Sequence, residues 1–236
     1  MTLYINCCPR MNSRTDRLAR ALLKKLGEYE ELRLYDEPIR AMDSQRLPHR
    51  EELLDRGELD GEIFRYSHQF AAADRIVIAA PYWDLSFPAQ LKIYIENIYA
   101  TGIVTRYGAD GRPEGMCRAE ELIYVTTSGG PFDGRFGYGY VKALAEDYFG
   151  IPATRLLLAE GLDIQGNDPE AILQKVMAEN GLTDAMLSCL IFLQKTEQAC
   201  TQQKICMELS LPKQTVSAAL LSLEKKSWII RRASAS

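Results

Sequence analysis

Residues 74–83 read DRIVIAAPYW. Two charged residues lead into Ile76, Val77, Ile78, Ala79 and Ala80, a run with no polar side chain on either face. A half-buried antiparallel strand alternates apolar with polar residues, whereas a strand covered on both faces is apolar throughout. The stretch therefore predicts a central parallel strand flanked by helices.

Working outward, residues 2–7 (TLYINC), 30–36 (EELRLYD), 121–130 (ELIYVTTSGG) and 154–162 (TRLLLAEGL) read as four more strands. Helical periodicity lies between them. Residues 15–26 put Leu18, Ala21, Leu22 and Leu26 on one face before Gly27. Residues 63–73, 88–99, 138–149 and 169–179 are further helices, with Val141, Leu144, Ala145 and Tyr148 striping the fourth of these five. Residues 37–59 are polar loop or partial helix, and 106–116 (RYGADGRPEGM) are a turn-rich excursion. Strict β-α alternation predicts an α/β fold, a five-stranded parallel sheet with helices on both faces, in flavodoxin-like strand order.

The chain has 236 residues, of which 47% are apolar and 25% charged, ordinary for a globular protein. No apolar run approaches the roughly 20 residues of a membrane span. The start MTLYINCC lacks the features of a secretory signal, so the expected location is cytoplasmic and the six cysteines are expected to be thiols. With no CxxC pair and two histidines, no metal site is expected. Residues 182–236 hold seven Lys/Arg against four Asp/Glu, while the remainder holds 21 against 28. An acidic body with a basic tail predicts two modules, 1–181 and 182–236.

Ligands of such folds bind at the carboxyl ends of the strands. Three of those ends are unusual. The first, NCCPRMNSRT (residues 6–15), opens a helix, where unpaired amides and the dipole favour an anion. Arg10, Ser13, Arg14 and Thr15 add charge and hydroxyl donors for a phosphate. The competing reading is that Ser13 or Thr15 merely caps the helix, Ser13 with Asp16 three residues on having the spacing of a capping box. The second, PYWDLSFPAQLK (81–92), places Tyr82 and Trp83 between two prolines; core packing of Trp83 and Leu85 is its alternative. The third, TTSGGPFDG (126–134), has small residues that let backbone approach a ligand, or that simply turn the chain.

Taken together, PYWDLSFPAQLKIYIENI, RYGADGRPEGM and VTTSGGPF resemble the FMN-dependent NADH-azoreductase and NAD(P)H quinone reductase family over residues 1–180. The resemblance implies a flavoprotein oxidoreductase passing hydride from NAD(P)H through FMN to quinone or azo acceptors. It implies that Arg10, Ser13, Arg14 and Thr15 hold the FMN phosphate, with Cys8 in the loop wall. Pro81, Tyr82, Trp83, Asp84 and Leu85 would line the flavin ring, Asp84 standing where the family usually has asparagine. Thr127, Ser128, Gly129 and Gly130 would hold the pyrimidine side. No side chain is assigned as an acid or base, and a homodimer is implied.

Two other activities fit parts of the sequence. Cys8, Arg14 and Thr15 have the Cys-x5-Arg-Thr spacing of low-molecular-weight phosphatases, with Asp168-Pro169 resembling their general-acid position. Against that reading, the loop lacks glycine, Pro9 removes an amide, and Asp168-Pro169 is also a standard helix start. A flavodoxin electron carrier would lack the aromatic loop.

The tail resembles part of a MarR-like winged-helix module over 182–236. Leu187, Leu190 and Ile191 stripe one helix, residues 201–210 form a second and 211–226 a third, and SWIIRR (227–232) reads as a strand. Val216, Ala219, Leu220 and Leu223 would pack inward. Lys213, Gln214, Thr215 and Ser217 would face a DNA groove, with Lys225, Lys226, Arg231 and Arg232 near phosphates. A flavin-linked transcription regulator is thus the alternative function; a purely structural appendage is the other reading.

Overall fold

The computed structural model describes residues 1–182, 185–196, 200–226 and 228–230. The chain divides into two compact units, Met1–Asn167 and Asp168–Ser236.

The first unit is built on five parallel strands. They are β1 (Thr2–Asn6), β2 (Tyr29–Arg33), β3 (Arg75–Ala79), β6 (Glu121–Thr127) and β7 (Ala153–Ala159), in the order β2-β1-β3-β6-β7. This is the flavodoxin-like order expected from the sequence. The opening stretch sits at its centre: Ile5 of β1 is opposite Ile78, and Val77 is opposite Ile123 of β6. Residues 76–79 are all buried, which explains why no polar residue interrupts them.

Helices α1 (Arg14–Leu26), α2 (Arg46–Arg56), α3 (Arg65–Ala72), α4 (Ala89–Ile98) and α5 (Tyr138–Ala143) connect the strands. The buried face of α1 is Leu18, Ala19, Leu22 and Leu23, turned slightly from the expected stripe, and Ala21 and Leu26 stay half-buried. Polar segment 37–59 contains α2, whose Arg50 is buried and donates to the carbonyls of Glu96 and Tyr99 at the end of α4. The excursion at 106–116 is a small hairpin of β4 (Thr105–Tyr107) and β5 (Pro113–Gly115).

After α5 the helix continues over Leu144–Tyr148 with wider, π-type turns, the amide of Phe149 reaching the carbonyl of Leu144. There Gly115 of β5 packs directly on the backbone of Phe149 and Gly150, so any Cβ at 115 would overlap main-chain atoms. Gly150 itself has φ 74°, a region that favours glycine.

The second unit holds α6 (Pro169–Glu179), α7 (Ala185–Lys195), α8 (Gln202–Leu209) and α9 (Lys213–Lys225). Asp168 caps α6 through the amides of Glu170 and Ala171, with Pro169 at the first helical position. Val216, Ala219, Leu220 and Leu223 of α9 are buried around Cys189 and Ile205, the inward face read from the sequence. Lys213 and Gln214 are exposed, and Thr215 and Ser217 half-buried. Residues 228–230 form no strand. Ser227, Arg231 and Arg232 of the expected strand lie outside the described residues, as do the side chains of Leu187 and Ile191. No helix among the described residues is long and apolar enough to cross a membrane.

Candidate functional site

The carboxyl ends of β1, β3, β6 and β7 surround a cleft of about 410 Å³, within the size range of small-molecule sites. The first wall is the loop after β1. The amide of Cys7 donates to the Ala79 carbonyl (2.8 Å), and that of Cys8 to Asn6 Oδ1 (3.0 Å). The chain then swings out through Pro9, Arg10 and Asn12, all lining the cleft, to Ser13. Ser13 is the extended N-cap of α1, its Oγ accepting from the Asp16 amide at 3.3 Å. This leaves the remaining first-turn amides of a 13-residue helix, with Arg14 and Thr15, at the cleft.

Asp16 does not complete a reciprocal capping box. Its carboxylate turns inward and accepts from Tyr4 Oη (2.6 Å), Asn6 Nδ2 (3.0 Å) and Arg20 Nε (2.9 Å). Asn6 and Arg20 also donate to Glu31 of β2 (2.9 and 2.7 Å). Asn6 is thus the hinge of a polar network whose other end fixes the Cys8 amide. Burial, reinforced by the bond to Asp16, pushes the Tyr4 hydroxyl far above its usual pKa, so Tyr4 is a permanent donor there.

The second wall follows β3. The amide of Tyr82 donates to the Thr127 carbonyl (3.1 Å), keeping the chain in register with β6. Trp83 and Ser86 then exchange backbone bonds (3.0 and 2.8 Å) across a two-residue turn in which Asp84 has φ 49° and Leu85 φ 67°. Two positive φ values define a tight primed turn that asparagine and glycine usually supply; aspartate tolerates it, leucine poorly. Pro81, Tyr82 and Trp83 line the cleft. Tyr82 is held from outside by an edge-to-face contact with Phe132 (4.9 Å) and by the Asp133 amide on its hydroxyl (3.3 Å).

Thr127, Ser128 and Gly129 form the third wall. Thr127 Oγ1 lies 2.7 Å from Thr15 Oγ1, both side chains buried, and so joins β6 to the start of α1. Ser128 Oγ donates to the Gly130 carbonyl (2.7 Å) and stiffens the turn.

The fourth wall, the loop after β7, was not read from the sequence. The amides of Gly161, Leu162 and Asp163 donate to the carbonyls of Gly130, Ser128 and Gly129 (3.2, 3.1 and 2.8 Å). Leu162 and Asp163 line the cleft, and Asp163 Oδ1 pairs with Arg14 Nη1 at 2.8 Å. The available signal was positional: this loop follows the fifth strand end.

Of the residues expected at a cofactor, Arg10, Ser13, Arg14, Thr15, Pro81, Tyr82, Trp83, Thr127, Ser128 and Gly129 come together around one cleft. Four stand outside its lining. Cys8 lies beneath the first loop, 2% exposed, its thiol directed at the Ala79 carbonyl. Asp84 and Leu85 occupy the tip of the tight turn, and Gly130 sits one residue past the third wall.

Cys8 also answers the phosphatase reading. Burial pushes its thiol up to about 11, so it is protonated at neutral pH, where a nucleophile must be thiolate. Asp168 spends its carboxylate on helix amides rather than standing free as a general acid.

Comparison with known proteins agrees with this fold. Residues 1–180 match the family described as flavodoxin-like fold, and residues 180–236 match the MarR family. An FMN-dependent NADH:quinone oxidoreductase of Coprothermobacter proteolyticus is 33% identical over 192 residues, 75% of this chain and 94% of that one. The FMN-dependent NADH:quinone oxidoreductase 2 of Clostridium acetobutylicum is 38% identical over 124 residues, 50% of this chain and 61% of that one. Among solved structures, the FMN-dependent NADH-azoreductase of Bacillus anthracis in complex with FMN superposes with a TM-score of 0.65. It is 23% identical, covering 75% of this chain and 94% of that one, and establishes the shared fold.

Proposed function

The chain belongs to the flavodoxin-like fold family, and from that we propose that it is a flavoprotein enzyme, an FMN-dependent NAD(P)H oxidoreductase acting on quinone or azo acceptors. The observation carrying this reading is the joining, in one cleft, of a cationic helix N-terminus, an aromatic turn and a glycine loop. The donor set fits FMN: amides, hydroxyls and two arginines suit a phosphate, and flat aromatic walls suit a heterocycle.

When bound, FMN supplies the hydride-transfer chemistry; the chain orients it and excludes side reactions. Ser13, Arg14 and Thr15, with Arg10, hold the phosphate, and Cys8 supports their loop from below. Pro81, Tyr82 and Trp83 bear on the ring, with Asp84 and Leu85 shaping the turn that carries them. Thr127, Ser128 and Gly129 would line the ring's polar edge, with Gly130 one residue behind them in the same turn; the Ser128 amide is already taken by the Ala159 carbonyl (2.9 Å), so the loop beyond it is where backbone amides would favour negative charge. No side chain need act as acid or base for this chemistry, so no residue is assigned a catalytic role. Two copies complete the pocket as a homodimer, and six free cysteines suit a reducing cytoplasm.

The purified protein, supplemented with FMN, should show a visible flavin band that NADH bleaches and a quinone restores. A protein that takes up no FMN under these conditions refutes the reading.

We propose the domains 1–181 and 182–236; the family matches over 1–180 and 180–236 support that division, whereas the two compact units divide between Asn167 and Asp168, with α6 in the second. A second reading concerns that tail. The MarR family match and the exposed Lys213 and Gln214 at the start of α9 favour a winged-helix module touching DNA, making the protein a flavin-linked regulator. Salt-dependent binding of the full chain to duplex DNA supports it; no binding at low salt removes it.

A further inference from the structure

Asp163 is the only acidic side chain among the described residues lining the cleft, and it faces the guanidinium expected to hold an anion. We propose that Asp163 is a specificity-determining residue: its carboxylate competes with a phosphate monoester for Arg14 and so lowers the preference of the site for phosphorylated over unphosphorylated flavin. The identity of that ligand rests on the flavin reading above; the competition itself does not.

The placement of Asp163 is built into the fold. Three successive amides, Gly161 to Asp163, are bonded to the third wall, and Gly161 takes φ 73° with its carbonyl accepting from Asn167 Nδ2 (2.8 Å). Asp163 Oδ2 lies only 2.5 Å from where a Cβ on Gly129 would stand. The carboxylate therefore bridges from the third wall to the first, directly across the anion end of the cleft.

Its stabilising value does not account for this arrangement. The side chains of Arg14 and Asp163 are 39% and 68% exposed, and exposed pairs contribute little to folding. Their effect on a bound anion is larger. A phosphate monoester carries nearly two negative charges at neutral pH. At Arg14 it must displace Asp163 or share the guanidinium with it at close range. Neutral riboflavin, which lacks the phosphate, meets no such opposition.

The test is a fluorescence titration of the full chain and of Asp163→Asn with FMN and with riboflavin, at fixed ionic strength. Asp163→Ser serves as a second variant. We expect both variants to bind FMN roughly tenfold more tightly, as removal of one unit charge near a dianion implies, and riboflavin unchanged. FMN binding equal to or weaker than that of the native chain overturns the proposal and leaves the flavin reading intact. Inorganic phosphate, read by its effect on thermal unfolding, separates the two ideas. If no form takes up FMN but phosphate protects Asp163→Asn more than the native chain, the competition stands and the flavin reading falls. If FMN fails and phosphate protects both equally, both ideas fall.

Discussion

Replacing Asp16 by alanine should both destabilise the protein and loosen its ligand cleft. Asp16 is 9% exposed and accepts from Tyr4, Asn6 and Arg20. Its removal strands the Tyr4 hydroxyl, fully buried, and one donor of Asn6, 1% exposed. Hydrogen bonds to a charged acceptor contribute about 1.5–3 kcal/mol each, and a buried donor left unpaired costs about 1–3 kcal/mol. Arg20 is 41% exposed and retains Glu31, so its share is small. The expected loss is about 3–4 kcal/mol, read as a lower urea midpoint at constant slope. Because Asn6 Oδ1 fixes the Cys8 amide, FMN affinity measured below the unfolding transition should also fall. Asp16→Asn, which keeps one oxygen for Tyr4, should lose less than half as much. A loss below about 1 kcal/mol for the alanine variant would refute the claim that this network sets the loop.

The buried thiols predict alkaline instability. Burial raises Cys7 to about 12 and Cys8 to about 11, so the folded state keeps protons that the unfolded chain sheds near its ordinary thiol range. Stability should be unaffected below pH 8 and decline from about pH 9, through about 11 for Cys8, to about 12 for Cys7. Cys8→Ser should flatten that decline, as equilibrium unfolding at several pH values will report. Gly115→Ala should cost about 3 kcal/mol, because its methyl group meets the backbone of Gly150 rather than a movable side chain, whereas Gly130→Ala, with open space around it, should unfold like the native chain. Thr127→Val should lose about 1–2 kcal/mol through the stranded Thr15 hydroxyl and weaken FMN binding in the same titration.

Much of the sheet was legible because β3 and its neighbours are buried on both faces, and burial leaves a mark in composition. The Ser13 cap and the Asp168-Pro169 start were legible for a similar reason: capping demands particular residue types at fixed spacing. The fourth wall was not, because Asp163 meets Arg14 across 149 positions and its neighbours carry no local signature. The turn at Asp84–Leu85 was hidden by its lack of glycine. The burial of Cys8 was obscured by spacing that matched an exposed nucleophile. The outward slip of the expected α1 stripe reflects a helix that buries Ala19 and Leu23 beside Leu18 and Leu22.

Leu85, at φ 67° and 56% exposed, is a residue the turn itself does not favour. Left-handed backbone costs a branched side chain about 1–2 kcal/mol, and little of this leucine is buried in return. A library randomised at this codon would therefore give two answers. Selection for thermal tolerance should enrich glycine and asparagine, and the distance between those winners and the residues kept under selection for turnover would measure how far this enzyme trades durability for the shape of one turn.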